Sequence, residues 1–286
     1  MTAWLVTAIG GLCVVAVLVD IFHTLANPGR QGFLSRQVHS ATWRLSRRSS
    51  LAGPVAMLGV IGIWGVVAVL GWTLVYWPHM PDGFVFPDGA AAAHGPNFID
   101  ALYLSLVTIS TLGFGDVFPE ANWLRIANPL EAIFGFALLT VAVSWVLQVY
   151  PALSRRRALA LRLTALQRAG LLDELPLLEP ASAVVLLDGL ASAVIGARVD
   201  LGDFAETYYF RESDEASALP ATLGFALELA HSASMSTHAE VRLAGRILMT
   251  ALTDFSELLR DRFLPNYEST QDPMASYARD HRHERL

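Results

Sequence analysis

The chain has 286 residues, 53% of them hydrophobic and 16% charged, with a mean hydropathy of +0.44, which is too apolar for an ordinary soluble domain. Its net charge of −6 comes from an acidic surplus beyond residue 170, while the Arg residues gather beside the apolar runs, a balance that argues against a nucleic-acid partner. All 20 basic residues are Arg, pointing to a GC-rich bacterial genome, and the one cysteine, Cys13, sits in an apolar run, which leaves no intrachain disulfide and no Cys-based metal site.

A bilayer core needs about 20 mainly apolar residues per helix, and three segments qualify, roughly residues 3–25, 54–77 and 127–150. The basic cluster follows the first run instead of preceding it, so this run reads as a retained helix rather than a signal peptide. Asp20 and His23 stand one turn apart near its end, and ionisable groups at such depth are regulatory candidates. They would contact Arg44 or Arg47, or sense internal pH through His23; the plainer reading is that both reach the interface. Residues 33–48 read either as an amphipathic helix on the anionic inner leaflet, in contact with membrane lipid, or as a solvated linker.

Arg30, Arg36, Arg44, Arg47 and Arg48 precede the second span, and Arg155, Arg156 and Arg157 follow the third. The positive-inside rule puts both regions in the cytoplasm, the amino terminus outside and the C-terminal half inside. Residues 78–97 contain Asp82 and Asp88 and no Arg, as suits an external loop, with Trp72, Tyr76 and Trp77 as an aromatic belt at its edge. No Arg-rich helix of a voltage sensor is present among the spans.

Residues 98–111, FIDALYLSLVTIST, have helical apolar spacing but are too few to cross the bilayer. They predict a re-entrant half-helix. The following Leu112 to Gly115 cannot comfortably continue a helix, and non-helical backbone at membrane depth must be buried in protein or line a water-filled path. Glycine alternating with bulkier residues permits a strand whose carbonyls face one way, and rings of carbonyls replace the hydration shell of a cation, as in the TVGYG loops of potassium channels.

The sequence TLGFG, with Asp116 after it, resembles that filter, with Leu for Val and Phe for Tyr. Residues 54–153 as a whole are similar to the pore module of the two-helix, tetrameric potassium-channel family, here of prokaryotic type. The resemblance implies ion sites at Thr111, Leu112, Gly113 and Phe114, with Gly115 completing the turn, and filter support from Asp116 and Ser110. Val107 occupies a place some members fill with a carboxylate. Gly135 falls where such channels often carry a hinge, though close packing against a neighbouring helix accounts for it equally well. Thr140, Val143, Ser144 and Leu147 would line the cavity or gate, and Pro151 would mark the exit from the membrane.

Beyond Ser154 the chain reads as helices near 179–197, 203–211, 214–233 and 237–263, with Tyr208, Tyr209, Phe210, Leu223, Phe225, Leu227 and Leu229 forming the core of a bundle. There is no GxGxxG after a strand and no EF-hand spacing. Asp203, Glu206, Glu212, Asp214 and Glu215 read as a solvated face sooner than a cation site, and His231 and His238 as ordinary residues. The tail after Pro265 lacks apolar periodicity and reads as disordered.

The expectation is therefore an all-α membrane protein in four parts: an extra helix and basic linker (1–53), the pore (54–153), a cytosolic helical domain (154–265) and a tail (266–286). Four copies are required, because one strand supplies one carbonyl per ring, so the unit is a homotetramer in a bacterial plasma membrane passing K+, with no cofactor and no enzymatic step. The sequence names no gating ligand. A non-selective cation channel on the same fold and a membrane-anchored sensor or scaffold with a vestigial pore both remain open. An intramembrane enzyme lacks support, since Ser105, Ser110 and Ser144 have no His and Asp arranged with them.

Overall fold

The computed structural model describes residues 2–26, 37, 52–86, 97–212, 214–264 and 272–281. Its helices are α1 (Thr2–Ala26), α2 (Ala52–Tyr76), α3 (Phe98–Ile109), α4 (Leu124–Arg168), α5 (Pro180–Asp203), α6 (Leu219–Ser234), α7 (Ala239–Phe263) and α8 (Pro273–Asp280). Two strands of two residues, β1 (Phe84–Val85) and β2 (Phe118–Pro119), pair antiparallel. The all-α class holds. The chain divides into two compact units, residues 1–41 with 56–147 and residues 42–55 with 148–286; α4 is one continuous helix that contributes to both.

In the first unit, α1 and α2 approach most closely at Gly10 and Gly71, where a methyl group on Gly10 would overlap the Gly71 carbonyl oxygen. Glycine is what lets the two backbones come this near. The outward face of α1 is apolar, with Leu5, Ile9, Leu12 and Phe22 exposed, as a lipid-facing helix requires. Tyr76, Met80, Phe84, Ala101, Leu104 and Leu124 form a small buried cluster joining the end of α2 to the starts of α3 and α4. The β1–β2 ribbon pairs Phe84 with Pro119 and Val85 with Phe118, so the first part of the expected external loop is tied to the segment that follows Gly115.

The second unit is a helical bundle. Leu187, Leu190 and Val194 of α5, Leu223 and Leu229 of α6, and Leu248, Leu252 and Phe255 of α7 recur at helical spacing and are buried together. Tyr208 stacks flat on Phe263 with ring centroids 4.4 Å apart. Of the aromatic and leucine positions expected to form the core, Tyr208, Leu223, Phe225 and Leu229 do so, with Tyr209 and Leu227 packed at its edge, while Phe210 is buried outside that cluster.

Pro151 lies inside α4, which runs through it to Arg168. Several expectations are corrected. Residues 205–209 form a 3-10 turn instead of part of an α-helix, because they bend the chain from α5 back toward the bundle. The tail is not wholly disordered: Asp272 caps α8 through a bond from the Met274 amide, and Met274 and Tyr277 are buried. The acidic residues do not share one solvated face, for Glu206 is buried and Glu212 pairs with Arg157 at 2.9 Å. Among the described residues no His, Cys, Asp or Glu group is arranged to hold a metal ion.

Among the described residues four helices, not three, are long and apolar enough to cross a membrane; the fourth is α5. It carries Asp188, Arg198 and Asp200 within its length, and its apolar stripe is spent on the bundle core. The amphipathic helix expected at 33–48, and the arginines at 30, 36, 44, 47 and 48, lie outside the described residues.

Candidate functional site: the strand after α3

α3 begins with Asn97, whose side chain accepts a hydrogen bond from the Ile99 amide at 3.0 Å, satisfying a donor the first turn leaves free. Asp100 in that turn suits the positive end of the helix dipole. At 12 residues the helix is about 18 Å long, at 1.5 Å per residue, and stops short of a bilayer core. Its other end carries the partial negative charge of unpaired carbonyls, and the chain turns there into Thr111–Gly115.

Three amides hold that turn: Thr111 donates to the Thr108 carbonyl at 2.9 Å, and Leu112 and Gly113 both donate to the Val107 carbonyl, at 3.0 and 3.4 Å. Ser110 Oγ bonds the Leu106 carbonyl at 2.6 Å, closing the last turn of α3. Val107, which brings no carboxylate, therefore serves through its backbone.

Thr111, Gly113 and Gly115 have φ of 58°, 55° and 76°, while Leu112 and Phe114 between them do not enter the left-handed region. Alternating the hand of successive residues lines their peptide dipoles up, amides to one side and carbonyls to the other. Space around Gly113 and Gly115 is open, so glycine is required there by backbone conformation and not by crowding. Among the described residues, the carbonyls of Thr111 through Gly115 accept no hydrogen bond. Leu112 and Phe114 are 62% and 64% exposed. The strand thus presents a row of unspent acceptors beside the negative end of a helix, an arrangement suited to a cation.

Asp116 accepts from Tyr103 Oη at 2.7 Å and from the Val117 amide at 3.0 Å, fastening the far end of the strand to α3. Gly135 of α4 lies against the end of α3, where an added methyl would overlap the Ile109 carbonyl oxygen. Close packing is thus the geometric reason for this glycine. Thr140, Val143, Ser144 and Leu147 all lie on an exposed face of α4.

Asp20 does not reach the interface: it is 5% exposed and accepts a hydrogen bond from Trp64 Nε1 of α2 at 2.8 Å, and Trp64 in turn packs on Trp145 of α4 at 5.7 Å. His23 is exposed.

Two residues absent from the sequence reading of the site support α3 from behind. Asn128 donates to Thr108 Oγ1 at 2.9 Å, and Glu131 binds both Tyr76 Oη and Ser105 Oγ. Glu131 does stand in the sequence as an acid inside an apolar run, the signal that singles out Asp20. Its partners lie 26 and 55 residues away, and nothing local indicates them.

Residues 63–150 match the ion channel family. The chain is also 24% identical over 170 residues to the uncharacterized membrane protein YdjJ of Bacillus subtilis, covering 56% of this chain and 49% of that one. It is 40% identical over 48 residues to two-pore potassium channel 5 of Arabidopsis thaliana, covering 17% of this chain and 12% of that one. To human potassium channel subfamily K member 5 it is 36% identical over 106 residues, covering 33% and 19%. The chain thus spans about half the length of the first of these relatives and less of the other two. No solved structure matches. The chain is a membrane protein in which residues 63–150 are similar to an ion-channel pore segment.

Proposed function

We propose that this chain is one subunit of a homotetrameric, potassium-selective channel that passes K+ passively across a bacterial plasma membrane. The observation that carries the reading is the left-handed φ recurring at every second residue from Thr111 to Gly115, with carbonyls that accept no hydrogen bond among the described residues. One strand supplies one carbonyl per ring, so four copies around an axis build the cage that replaces an ion's water shell. The Thr111 hydroxyl completes the innermost site, and K+ is the cargo. The names of the two plant and human relatives, both potassium channels, support the same choice of ion.

In this reading the exposed face of α4 bearing Thr140, Ser144 and Leu147 lines the path below the filter. The arginines after residue 154 put the bundle in the cytoplasm and the amino terminus outside. Because α4 is continuous to Arg168, a stimulus that distinguishes two states of the bundle acts on the pore through that helix.

Selectivity is tested by reversal potential in a planar bilayer with K+ on one side and Na+ on the other. A potential displaced toward the potassium equilibrium value is expected. A potential near zero would mean a cation pore without selectivity, a result in which Leu112 in place of the usual Val becomes the first residue to exchange.

A further inference from the structure

Glu131 belongs to no part of the filter strand, yet it is fully buried in α4. Its Oε2 accepts from Tyr76 Oη of α2 at 2.6 Å, and its Oε1 lies 2.5 Å from Ser105 Oγ of α3. Three helices meet at one carboxyl group. One turn earlier on α4, Asn128 binds Thr108, and one turn later Gly135 accommodates the Ile109 carbonyl. Positions 128, 131 and 135 therefore all lie against the second half of α3.

A leucine at 131 would suit an apolar helix without the cost of burying a polar group, but it would supply no directional bond. Ser105 Oγ has one proton and a second neighbour, the Val69 carbonyl at 3.2 Å. If the carboxyl is ionised, it accepts from both Tyr76 and Ser105. If it carries a proton, it donates to Ser105, which then donates to Val69, while Tyr76 still donates to the other oxygen. In both arrangements α3 stays bonded to its neighbours. The connection onward is short: two residues after Ser105, the Val107 carbonyl holds the amides of Leu112 and Gly113.

We propose that Glu131 is a positioning residue for the filter, holding α3, and through it the strand Thr111–Gly115, in the register that selects and conducts. This rests on the potassium-pore reading. Glutamine meets the second arrangement, with its amide NH2 donating to Ser105 and its oxygen accepting from Tyr76, so it is the conservative replacement that ought to work.

The experiment compares the ratio of K+ to Na+ flux in liposomes for the wild type, Glu131→Gln, Glu131→Leu, Ser105→Ala and Tyr76→Phe. Glu131→Gln is expected to stay within about twofold of the wild-type ratio, and Glu131→Leu to lower it about tenfold, the equivalent of about 1.4 kcal/mol. If the leucine variant does not assemble, Ser105→Ala and Tyr76→Phe carry the test, since each removes one bond, leaves the carboxyl in place and is expected to lower the ratio. Variants that assemble and keep the wild-type ratio would overturn the role of Glu131 while leaving the pore reading intact. A wild type that passes no K+ under any condition would overturn both.

Discussion

Thr111 holds a φ of 58°, a conformation that costs an L-residue with a Cβ about 1–2 kcal/mol. The turn bonds from Thr111, Leu112 and Gly113 to the end of α3 hold it there, and strain of this kind gathers where backbone geometry is put to use. Gly135 poses the opposite case, in which side-chain absence matters more than backbone freedom. By helix propensity alone Gly135→Ala should stabilise α4 by about 1 kcal/mol. The new methyl would meet the Ile109 carbonyl oxygen, however, and overpacking of this sort costs about 1–3 kcal/mol. The melting temperature of the detergent-solubilised protein is therefore expected to fall in Gly135→Ala; a rise would favour the hinge reading instead. The filter was legible in the sequence because its glycine spacing is a local signal. Glu131, Asn128 and Tyr103 were not, because their partners are set by how α3 and α4 pack.

At the scale of elements, hydrophobic runs located α1, α2 and the start of α4 within a few residues, and the twelve-residue α3 was recognisable from being too short to span. The continuation of α4 past residue 150 and the tail helix were not legible. Proline at 151 removes one backbone hydrogen bond, but the helix continues through it as part of a 45-residue run. The tail helix α8 gives no periodic signal, since it depends on a cap at Asp272 and on two or three side chains finding a place in a bundle built elsewhere in the sequence. His281, at the end of α8, makes that docking sensitive to acid. Burial pushes its imidazole down to about 3 from an ordinary 6.5, with Arg156 adding to the effect against the carbonyls of Tyr208 and Tyr277, which favour the cation. The unfolded chain then takes up the proton first, so the stability from neutral His281 is full above about pH 6.5 and is lost as pH falls toward 3. Thermal unfolding of the bundle is expected to show this decline, and His281→Gln to flatten it; an unchanged slope in the variant would mean that other groups carry the acid response.

For the whole molecule, the arginines that follow the third apolar run hold the fold together. Arg155 makes a bidentate pair with Asp200, at 2.8 and 2.6 Å, and Arg156 is buried with bonds to the carbonyls of Thr207 and Phe210. These bonds fasten the end of α4 to α5 and the turn after it, within the second unit. A sequence reading sees such residues as charge on one side of a membrane, and only the fold reveals what they hold. Composition separates an apolar first half from a second half with regular charges, because lipid and water demand different surfaces. The account depends most on the row of carbonyls from Thr111 to Phe114 carrying ions. Potassium flux into liposomes containing the purified protein, with Gly113→Asp in parallel, tests this most directly. Residue 113 holds a left-handed φ, and a carboxylate side chain there would both strain the strand and obstruct the ring. Flux in the wild type that is lost in Gly113→Asp is the predicted result, and equal flux in the two proteins would contradict it.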